Sequence, residues 1–233
     1  MDYRDKEVIV TGGTGALGTA VVGALLSAGA QCHVPYFVAA EVERFPHRDN
    51  VRVKLVAAGD LADEGAVARI YDSVPALWGS VHLVGGYHFG AVAKTNKATV
   101  ISQLEKNFVT CFLCCHAAAD AIRRAGGGGR IVNVAARPAL EWRAGVNMAA
   151  YAASKAAVAA FTAAFAQEVI KDGILVNAVA PSIIDTPVNR KDMPDADHAS
   201  WPKADEVAAT ILFLASPENK VTSGVVVPVY GRV

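Results

Sequence analysis

The 233-residue sequence has no excess of charge of either sign. Its 22 basic side chains balance 22 acidic ones, so the formal net charge is zero at pH 7. Proteins that hold nucleic acid or an anionic membrane by electrostatic attraction usually carry a clear basic excess. We therefore expect neither a nucleic acid nor a membrane as a partner.

Cysteines and long apolar runs are also scarce. The sequence has only four cysteines, and three of them stand close together at Cys111, Cys114 and Cys115, which is not a disulfide framework. No uninterrupted apolar run reaches the ~18 residues that a membrane span needs. The charged start, Met1 to Glu7, lacks the apolar core and cleavage site of a signal peptide. These absences predict a cytoplasmic protein with reduced thiols.

Hydrophobic residues are plentiful, at 53% of the chain, and their pattern alternates between two periods. Short apolar runs typical of strands alternate with amphipathic helical stretches, which predicts an α/β domain with a doubly wound parallel sheet. We expect about seven strands, with helices on both faces, in one domain covering residues 1–233. The predicted strands cover residues 7–11, 30–36, 51–56, 81–84, 130–135, 174–179 and 225–229.

A glycine-rich turn follows the first predicted strand and precedes a helical pattern that begins at Thr19. Strand, glycine-rich turn and helix are the context of a dinucleotide-binding site. Glycines let the backbone approach a pyrophosphate, and the N-terminus of the helix offers it free N–H groups. The candidate cofactor contacts here are Gly12, Thr14, Gly15, Ala16, Leu17 and Gly18.

The end of the second strand leaves the choice between NAD and NADP open. About 20 residues after the glycine turn, an acidic residue normally binds the ribose hydroxyls of NAD. Tyr36 stands there instead, followed by Phe37, with no carboxylate to repel a 2′-phosphate and no adjacent arginine to attract one. Tyr36 either borders the adenosine or is an ordinary aromatic residue at a strand end. More distant candidates for a 2′-phosphate are Arg44, His47 and Arg48.

Two further strand ends carry candidate cofactor contacts, because ligands of open parallel sheets lie just outside the carboxyl ends of the strands. Asp60 and Leu61 follow the third strand. Asp60 could accept from an adenine amino group or cap the next helix, although Asp63 is better placed as the cap. Gly85 and Gly86 follow the fourth strand in another glycine-rich turn.

A long helix is predicted over residues 97–125, and it contains Asn107 and the three clustered cysteines. The spacing of Cys111 and Cys114 is that of a CxxC motif, but a zinc site needs four ligands, usually from a second pair. Haem attachment would need a histidine where Cys115 stands. We therefore expect buried cysteines on an apolar helix face and no metal.

The stretch from Tyr151 to Lys155 opens an alanine-rich helical pattern over residues 148–171. Residues four apart share one face of a helix, so the phenol and the ammonium should lie ~5–6 Å apart. A nearby cation stabilises phenolate, so we expect the pKa of Tyr151 to lie below its usual value of ~10. Further on, the polar segment 187–203 is predicted to form an irregular lid over a substrate.

Taken in order and spacing, these features resemble the short-chain dehydrogenase/reductase superfamily over nearly the whole chain. The resemblance implies that Tyr151 is the acid/base and that Lys155 binds the nicotinamide ribose and lowers the pKa of the tyrosine. It also implies that Asn107 holds a water in a proton relay. Thr186 would contact the carboxamide, and Gly85 and Gly86 would lie near the cofactor ribose. The matching stretch after the sixth strand adds Pro181 and Ile184 as cofactor contacts.

Three departures from the family pattern stand out. Ala16 occupies a usual glycine position, and Val84-Gly85-Gly86-Tyr87 replaces the family's Asn-Asn-Ala-Gly. The active-site serine, which holds the substrate carbonyl oxygen, is missing, because Ala135 and Ala136 stand where it is expected. Losing one such donor typically costs ~10²–10³ in rate. The residues that could take its place are Arg137, Asn147 and His88.

The sequence therefore predicts an NAD(P)-dependent oxidoreductase that transfers hydride between nicotinamide and a small carbonyl or alcohol substrate. A specific alternative is reduction of a quinonoid pterin or imine, because the glycine turns and residues 185–201 resemble the dihydropteridine reductases, which lack the serine. The acidic residue that those enzymes carry after strand two is absent here. A third alternative is a non-catalytic dinucleotide-binding sensor or scaffold. We also expect a homodimer or homotetramer formed through the two long helices, including their cysteine cluster.

Overall fold

The computed structural model describes residues 1–233, and all seven strands pair in parallel within one sheet. Their order across the sheet is β3-β2-β1-β4-β5-β6-β7. The predicted doubly wound α/β fold is therefore confirmed. The strands are β1 Glu7–Thr11, β2 Gln31–Tyr36, β3 Val53–Ala57, β4 Leu77–His82, β5 Arg130–Val134, β6 Leu175–Pro181 and β7 Val226–Val229.

Helices cover both faces of the sheet, and most of them alternate with strands along the chain. The α-helices are α1 Ala16–Ser27, α2 Ala39–Arg44, α3 Glu64–Asp72, α4 Lys97–Leu104, α5 Thr110–Arg124, α6 Arg137–Leu140, α7 Ala149–Val169, α8 Pro187–Asp192 and α9 Ala204–Leu214. Short 3₁₀ turns cover Val92–Lys94, Trp142–Gly145, Ile170–Asp172 and His198–Ser200, and a π-helical turn covers Glu105–Val109.

Two apolar cores fill the layers between sheet and helices. One core packs α3, α5 and α7 against one face of the sheet and contains the three clustered cysteines. The other packs α1 and α9 against the opposite face. The five central strands of the sheet are almost entirely buried, as expected for a parallel sheet covered on both faces, whereas the edge strands β3 and β7 are partly exposed.

The order of the strands places a ligand crevice between β1 and β4. Chain order reverses there, because β2 and β3 lie to one side of β1 and the later strands lie to the other. Ligands of open α/β sheets bind outside the carboxyl ends of the strands at such a switch point. Leu83 N donates to Thr11 O at 3.1 Å, so the segments that leave β1 and β4 remain side by side.

Several element boundaries differ from the predicted ones. The fourth strand covers Leu77–His82, whereas 81–84 was predicted, because pairing with β1 and β5 extends it across Trp78 and Gly79. The predicted helix 97–125 is interrupted by the π-helical turn. The predicted loop after Tyr36 contains α2.

One helical stretch, Ala149–Asp172, is long and apolar enough to cross a membrane when it is assessed by length and composition alone. Core helices of water-soluble proteins pass the same test. This stretch carries the Tyr151 and Lys155 pair, and only a third of its most apolar window is buried within the chain.

Candidate active site

The glycine-rich turn forms the N-terminus of α1. The helix begins at Ala16, three residues earlier than predicted, so Ala16, Leu17 and Gly18 form its first turn. The N-cap residue is Gly15, and no side chain caps the helix. The N–H groups of the first turn are therefore free to bind an anion.

Close backbone packing fixes the shape of this turn. Gly12 has a φ of +69°, a left-handed conformation that favours glycine. A Cβ on Gly18 would collide with the carbonyl oxygen of Gly12. A Cβ on Gly13 would lie 2.8 Å from Val34 Cγ1. The residues present thus form the open cradle that a cofactor pyrophosphate requires.

Asn107 connects the turn after β4 to the helix that carries Tyr151. It lies in the π-helical turn and is 1% exposed. Its Oδ1 accepts from Gly86 N at 2.9 Å, and its Nδ2 donates to Gly86 O at 2.9 Å and to Ser154 Oγ at 3.0 Å. Ser154 Oγ donates in turn to the carbonyl oxygen of Tyr151 at 2.7 Å. The amide therefore holds two parts of the site at a fixed separation.

Lys155 lies on the same side of this turn. Its Nζ donates to Val134 O at 2.8 Å, at the carboxyl end of β5. A Cβ added to Gly85 would lie 3.3 Å from this Nζ and 2.7 Å from Asn107 Oδ1. Lys155 and Asn107 thus lie on either side of Gly85, with Tyr151 one helical turn before Lys155. The fold brings together the three residues that the sequence assigned to catalysis.

Burial shifts the pKa values of Tyr151 and Lys155 in opposite directions. It raises the pKa of Tyr151 to about 12, with a further contribution from Tyr87, and it lowers the pKa of Lys155 to about 8. The expectation that Lys155 lowers the pKa of Tyr151 is therefore wrong in this structure. The main cause is the loss of hydration of the phenol, while the Lys155 ammonium is directed to Val134 O.

Tyr87 is a site residue that the sequence reasoning did not assign. Its ring contacts the ring of Tyr151 edge to face, with centroids 5.1 Å apart and planes at 80°. Tyr87 itself is 60% exposed, so it covers Tyr151 on the solvent side. The available signal was an aromatic residue directly after Gly85 and Gly86, at the end of a strand.

The adenosine side of the crevice contains a carboxylate that the sequence reasoning missed. Thr14 Oγ1 donates to Glu41 Oε2 at 3.0 Å, so this glutamate on α2 contacts the glycine turn. A carboxylate therefore lies beside the glycine turn, although none follows Tyr36 directly in the sequence. The sequence did not indicate this contact, because Glu41 lies five residues beyond Tyr36 in a stretch that was predicted to be a loop.

The three basic residues considered for a 2′-phosphate have protein partners. Arg44 Nε donates to Ala40 O at 3.2 Å, and Arg48 Nη1 donates to Glu43 O at 2.8 Å. His47 Nε2 lies 3.2 Å from Thr19 O, on the flank of α1. No contact joins any of the three side chains to the glycine turn.

Asp60, Leu61 and Tyr36 lie around the carboxyl ends of β2 and β3. Asp60 Oδ1 accepts from Ala62 N at 2.9 Å, within its own turn. Asp63 Oδ1 caps α3 by accepting from Ala66 N at 2.7 Å, as predicted. Leu61 is buried in the core, whereas Tyr36 ends β2 half-buried. The roles of these residues toward the adenosine remain predictions.

None of the three residues considered as a replacement for the missing serine carries a hydroxyl. Ala135 and Ala136 are both buried. Arg137 Nε is paired with Glu141 Oε2 at 2.7 Å, and Asn147 is exposed in a left-handed conformation with φ +58°. His88 differs from these two, because its Nε2 is buried and has no hydrogen-bond partner.

The predicted lid is more ordered than expected. Thr186 Oγ1 accepts from Asn189 N at 3.2 Å and caps α8, and Asn189 Nδ2 donates to Ile184 O at 2.8 Å. Pro181 ends β6 just before this stretch. At the far end Trp201 is 6% exposed. The segment 187–203 is therefore partly helical and anchored at both ends, and its function as a lid stays a prediction.

The glycine-lined N-terminus of α1 and the pair formed by Tyr151 and Lys155 lie at one edge of the parallel sheet. This arrangement is typical of dinucleotide-dependent oxidoreductases. Residues 6–197 match the family model described as short chain dehydrogenase, and the chain belongs to this family. It is accordingly an oxidoreductase whose cofactor is NAD or NADP.

Similarity to individual family members is distant but covers the whole chain. A (2S)-[(R)-hydroxy(phenyl)methyl]succinyl-CoA dehydrogenase subunit, BbsD of Thauera aromatica, is 28% identical over 99% of this chain and 97% of its own. An NADPH-dependent aldehyde reductase-like protein of Arabidopsis thaliana is 27% identical over 97% and 93%. The solved structure of gox2181 superposes with a TM-score of 0.90 at 26% identity, covering 99% of this chain and 95% of the other.

Proposed function

We propose that this protein reduces a small carbonyl compound, or oxidises the corresponding alcohol, with Tyr151 as the acid/base. The observation that carries the proposal is the convergence of Tyr151, Lys155 and Asn107 around the turn of Gly85 and Gly86. This turn lies beside the glycine cradle, so a proton donor and a dinucleotide site share one edge of the sheet. The substrate would lie between them.

Each residue has a distinct part in this scheme. When bound, NAD(P)(H) would provide the hydride chemistry of the reaction. The Tyr151 hydroxyl donates a proton to the oxygen that becomes the alcohol, and it takes that proton back in the reverse direction. The Lys155 ammonium stabilises the phenolate that remains after donation. Asn107 positions the turn after β4 and the first turn of α7.

His88 is our candidate for the donor that replaces the missing serine. Its buried, unpartnered Nε2 can donate a hydrogen bond in the appropriate tautomer. It lies on the segment that begins at Gly85, and Gly90 of that segment donates to Asn147 O, four residues before Tyr151. Replacing His88 with alanine should lower kcat more than it weakens cofactor binding.

We infer further that the cofactor is NAD rather than NADP. The Glu41 carboxylate contacts Thr14 in the glycine turn, where it can accept hydrogen bonds from ribose hydroxyls and repel a 2′-phosphate. Glu41→Gln should raise the ratio of kcat/KM for NADPH to that for NADH by about tenfold, which corresponds to about 1.4 kcal/mol. Glu43→Gln, an exposed change on the same helix, is the control. An unchanged ratio in Glu41→Gln would rule out this role for Glu41.

The experiment that tests the catalytic proposal measures cofactor oxidation against a panel of ketones, aldehydes, quinones and pterins. Tyr151→Phe should lower kcat by ~10²–10⁴ while cofactor binding, measured by calorimetry, persists. Lys155→Met should also impair turnover, whereas Lys171→Met, near the end of the same helical stretch, should not. Full activity of Tyr151→Phe would refute the mechanism.

Reduction of a quinonoid pterin remains the second candidate. The observation that favours it is the absence of a hydroxyl at Ala135 and Ala136, since such a substrate presents no ketone oxygen to be held. Turnover on the pterin alone within the panel would support it. Cofactor binding without turnover of any compound would instead support the sensor or scaffold alternative.

We also propose a homodimer or homotetramer. The expected contribution of the cysteines is wrong, because Cys111, Cys114 and Cys115 are buried within the chain. Aromatic residues of α5, α7 and the π-helical turn instead contact one another, and Phe112 is 43% exposed. A second copy that covers this patch would also bury the apolar face of α7. These aromatic residues are Phe108, Phe112, Phe161 and Phe165.

Light scattering and fractionation test this assembly. Light scattering should give a multiple of the 24.3 kDa chain mass at micromolar concentration. Cell fractionation should recover the protein in the cytoplasmic fraction. Phe112→Glu should shift the distribution toward monomer, while His116→Glu, one turn further along α5, should not. A monomeric wild-type protein would refute the proposal.

A further inference from the structure

A second cluster of chemically reactive side chains lies beneath the candidate active site. It contains His82 from the end of β4 and two cysteines of α5, Cys111 and Cys115, one helical turn apart. The ligand-capable atoms of the three residues all lie within 4.8 Å of one another. All three side chains are buried. The CxxC pattern did not indicate this group, because its third member comes from a strand about 30 residues earlier in the chain.

Asn133 of β5 supplies a fourth donor atom to the cluster. Its Oδ1 lies 2.8 Å from His82 Nδ1 and 3.3 Å from Cys115 Sγ. The distance between His82 Nδ1 and Cys115 Sγ is 3.4 Å. In a tetrahedral zinc site with bonds of ~2.0–2.3 Å, neighbouring ligand atoms are ~3.3–3.7 Å apart. The two distances to Cys115 Sγ lie within this range, whereas the hydrogen-bonded His82 Nδ1 and Asn133 Oδ1, 2.8 Å apart, would have to separate slightly to hold the ion.

Hydrogen bonds from outside the cluster fix the orientation of both polar ligands. His82 Nε2 lies 2.8 Å from Ser80 Oγ and 3.1 Å from Tyr71 Oη. Asn133 Nδ2 donates to Thr162 Oγ1 at 3.0 Å. Such outer contacts hold the ligand rings and amides of metal sites in place. Here they direct His82 Nδ1 and Asn133 Oδ1 toward the two sulfurs.

We propose that His82, Cys111, Cys115 and Asn133 bind one thiophilic divalent metal ion, with Zn²⁺ as the ion that fits best. Two thiolates neutralise the charge of the ion, so the buried centre carries no net charge. On binding, two S–H bonds break, two metal–sulfur bonds form, and two protons leave to solvent. The bound ion would join β4 to α5.

The position of the site implies a structural role. His82 precedes Gly85 by three residues, and Cys111 follows Asn107 by one helical turn. An ion at this site would therefore fix the spacing of two elements that hold the candidate active site. Because it binds the folded chain, it should raise the thermal unfolding temperature when it is present in excess over its Kd.

Cobalt is the probe for the test, because tetrahedral Co²⁺ bound to thiolates has characteristic visible absorption bands. Full-length, reduced and metal-free protein is titrated with Co²⁺ and then with Zn²⁺. We expect bands that saturate at one ion per chain and disappear when Zn²⁺ displaces the cobalt. Loss of a group that hydrogen-bonds to a metal ligand typically lowers metal affinity by ~10–100-fold. Cys111→Ser and Cys115→Ser remove a ligand itself, so each should lower the affinity for Co²⁺ by at least that factor.

Two control variants separate this site from other ligands. Cys32→Ser removes a buried cysteine from the other core, and His116→Ala removes the exposed pair with Asp120 on α5. Both should retain the cobalt bands. Absence of the bands in the wild type, or their persistence in Cys111→Ser, would overturn the proposal.

A measurement on the wild type keeps the proposal testable even if the cysteine variants do not fold. Thiol alkylation is followed by mass spectrometry with and without Zn²⁺ during partial unfolding. Zn²⁺ should protect Cys111 and Cys115 more strongly than Cys32, which gains only the protection that comes from a more stable fold. Equal protection of all cysteines, or no protection, would contradict the proposal.

Discussion

The ring of Tyr87 stands perpendicular to the ring of Tyr151, with their centroids 5.1 Å apart. Tyr87 is the more exposed of the two, so it shields the candidate acid/base from water. Burial raises the pKa of Tyr151 to about 12, and Tyr87 is the second cause of that shift. The proton on Tyr151 is therefore held firmly until a substrate receives it.

Opening this aromatic contact should make Tyr151 more acidic. Tyr87→Ala exposes the phenol to water, and we expect its pKa to fall by about one unit, or about 1.4 kcal/mol. The measurement is the pH dependence of kcat/KM for alcohol oxidation, which rises with the phenolate fraction. Below about pH 8, where Lys155 is charged, kcat/KM for oxidation should be higher in Tyr87→Ala than in the wild type. Tyr87→Phe, which keeps the ring, should change the profile less, and identical profiles for all three proteins would argue against shielding.

Lys155 should limit carbonyl reduction at high pH. Burial lowers the pKa of its ammonium to about 8, so the charged form predominates below that pH and is lost above it. Phenolate formation needs the cation, so kcat/KM for reduction should be flat below about pH 8 and should fall above it. Lys155→Arg should be slower but should lack this decline, because a guanidinium stays charged. A wild-type rate that stays constant to high pH would contradict this role.

Gly85 should not tolerate a side chain. An alanine Cβ there would lie 2.7 Å from Asn107 Oδ1 and 3.3 Å from Lys155 Nζ, so both groups would have to move. Because displacement of a catalytic group by ~1 Å can cost ~10²-fold in rate, Gly85→Ala should lower kcat by about that factor. Gly86→Ala is the matched control, since its Cβ approaches only the flexible side chain of Lys106, at 3.1 Å. Equal losses in both variants would show that the contact around Gly85 is not decisive.

Gly18 should be required for cofactor binding. A Cβ at Gly18 collides with the carbonyl of Gly12 and lies 2.6 Å from Gly13 Cα, so the turn must distort. Such overpacking typically costs ~1–3 kcal/mol, and calorimetry should show a raised cofactor Kd together with a lowered Tm. At Gly15 the nearest protein atom would be Gly12 O at 3.3 Å, so Gly15→Ala should lower Tm less than Gly18→Ala. Unaltered cofactor affinity in Gly18→Ala would contradict the assigned cradle.

The features that the sequence predicted well are local ones. The glycine turn, the Tyr151–Lys155 spacing and the cap at Asp63 each depend on residues a few positions apart, where helix and turn geometry fixes the relationship. The parallel sheet could also be predicted, because strand and helix patterns alternate along the chain.

The features that were missed depend on packing between distant segments. Glu41 reaches Thr14 across 27 positions, and His82 meets Cys115 across 33. No local pattern records such contacts. The sign of the Tyr151 pKa shift was wrong for the same reason, since helical spacing reveals the nearby lysine but not the burial that outweighs it. The bounds of β4 were likewise set by its neighbours in the sheet.

A crystal structure of the protein with bound NAD(H) tests the central claim most directly. The account predicts that the pyrophosphate lies at the N-terminus of α1, that Lys155 Nζ contacts the nicotinamide ribose, and that the Tyr151 hydroxyl faces a space beside nicotinamide C4. A Tyr151 ring that points away from the nicotinamide, with no room for a substrate between them, would contradict it.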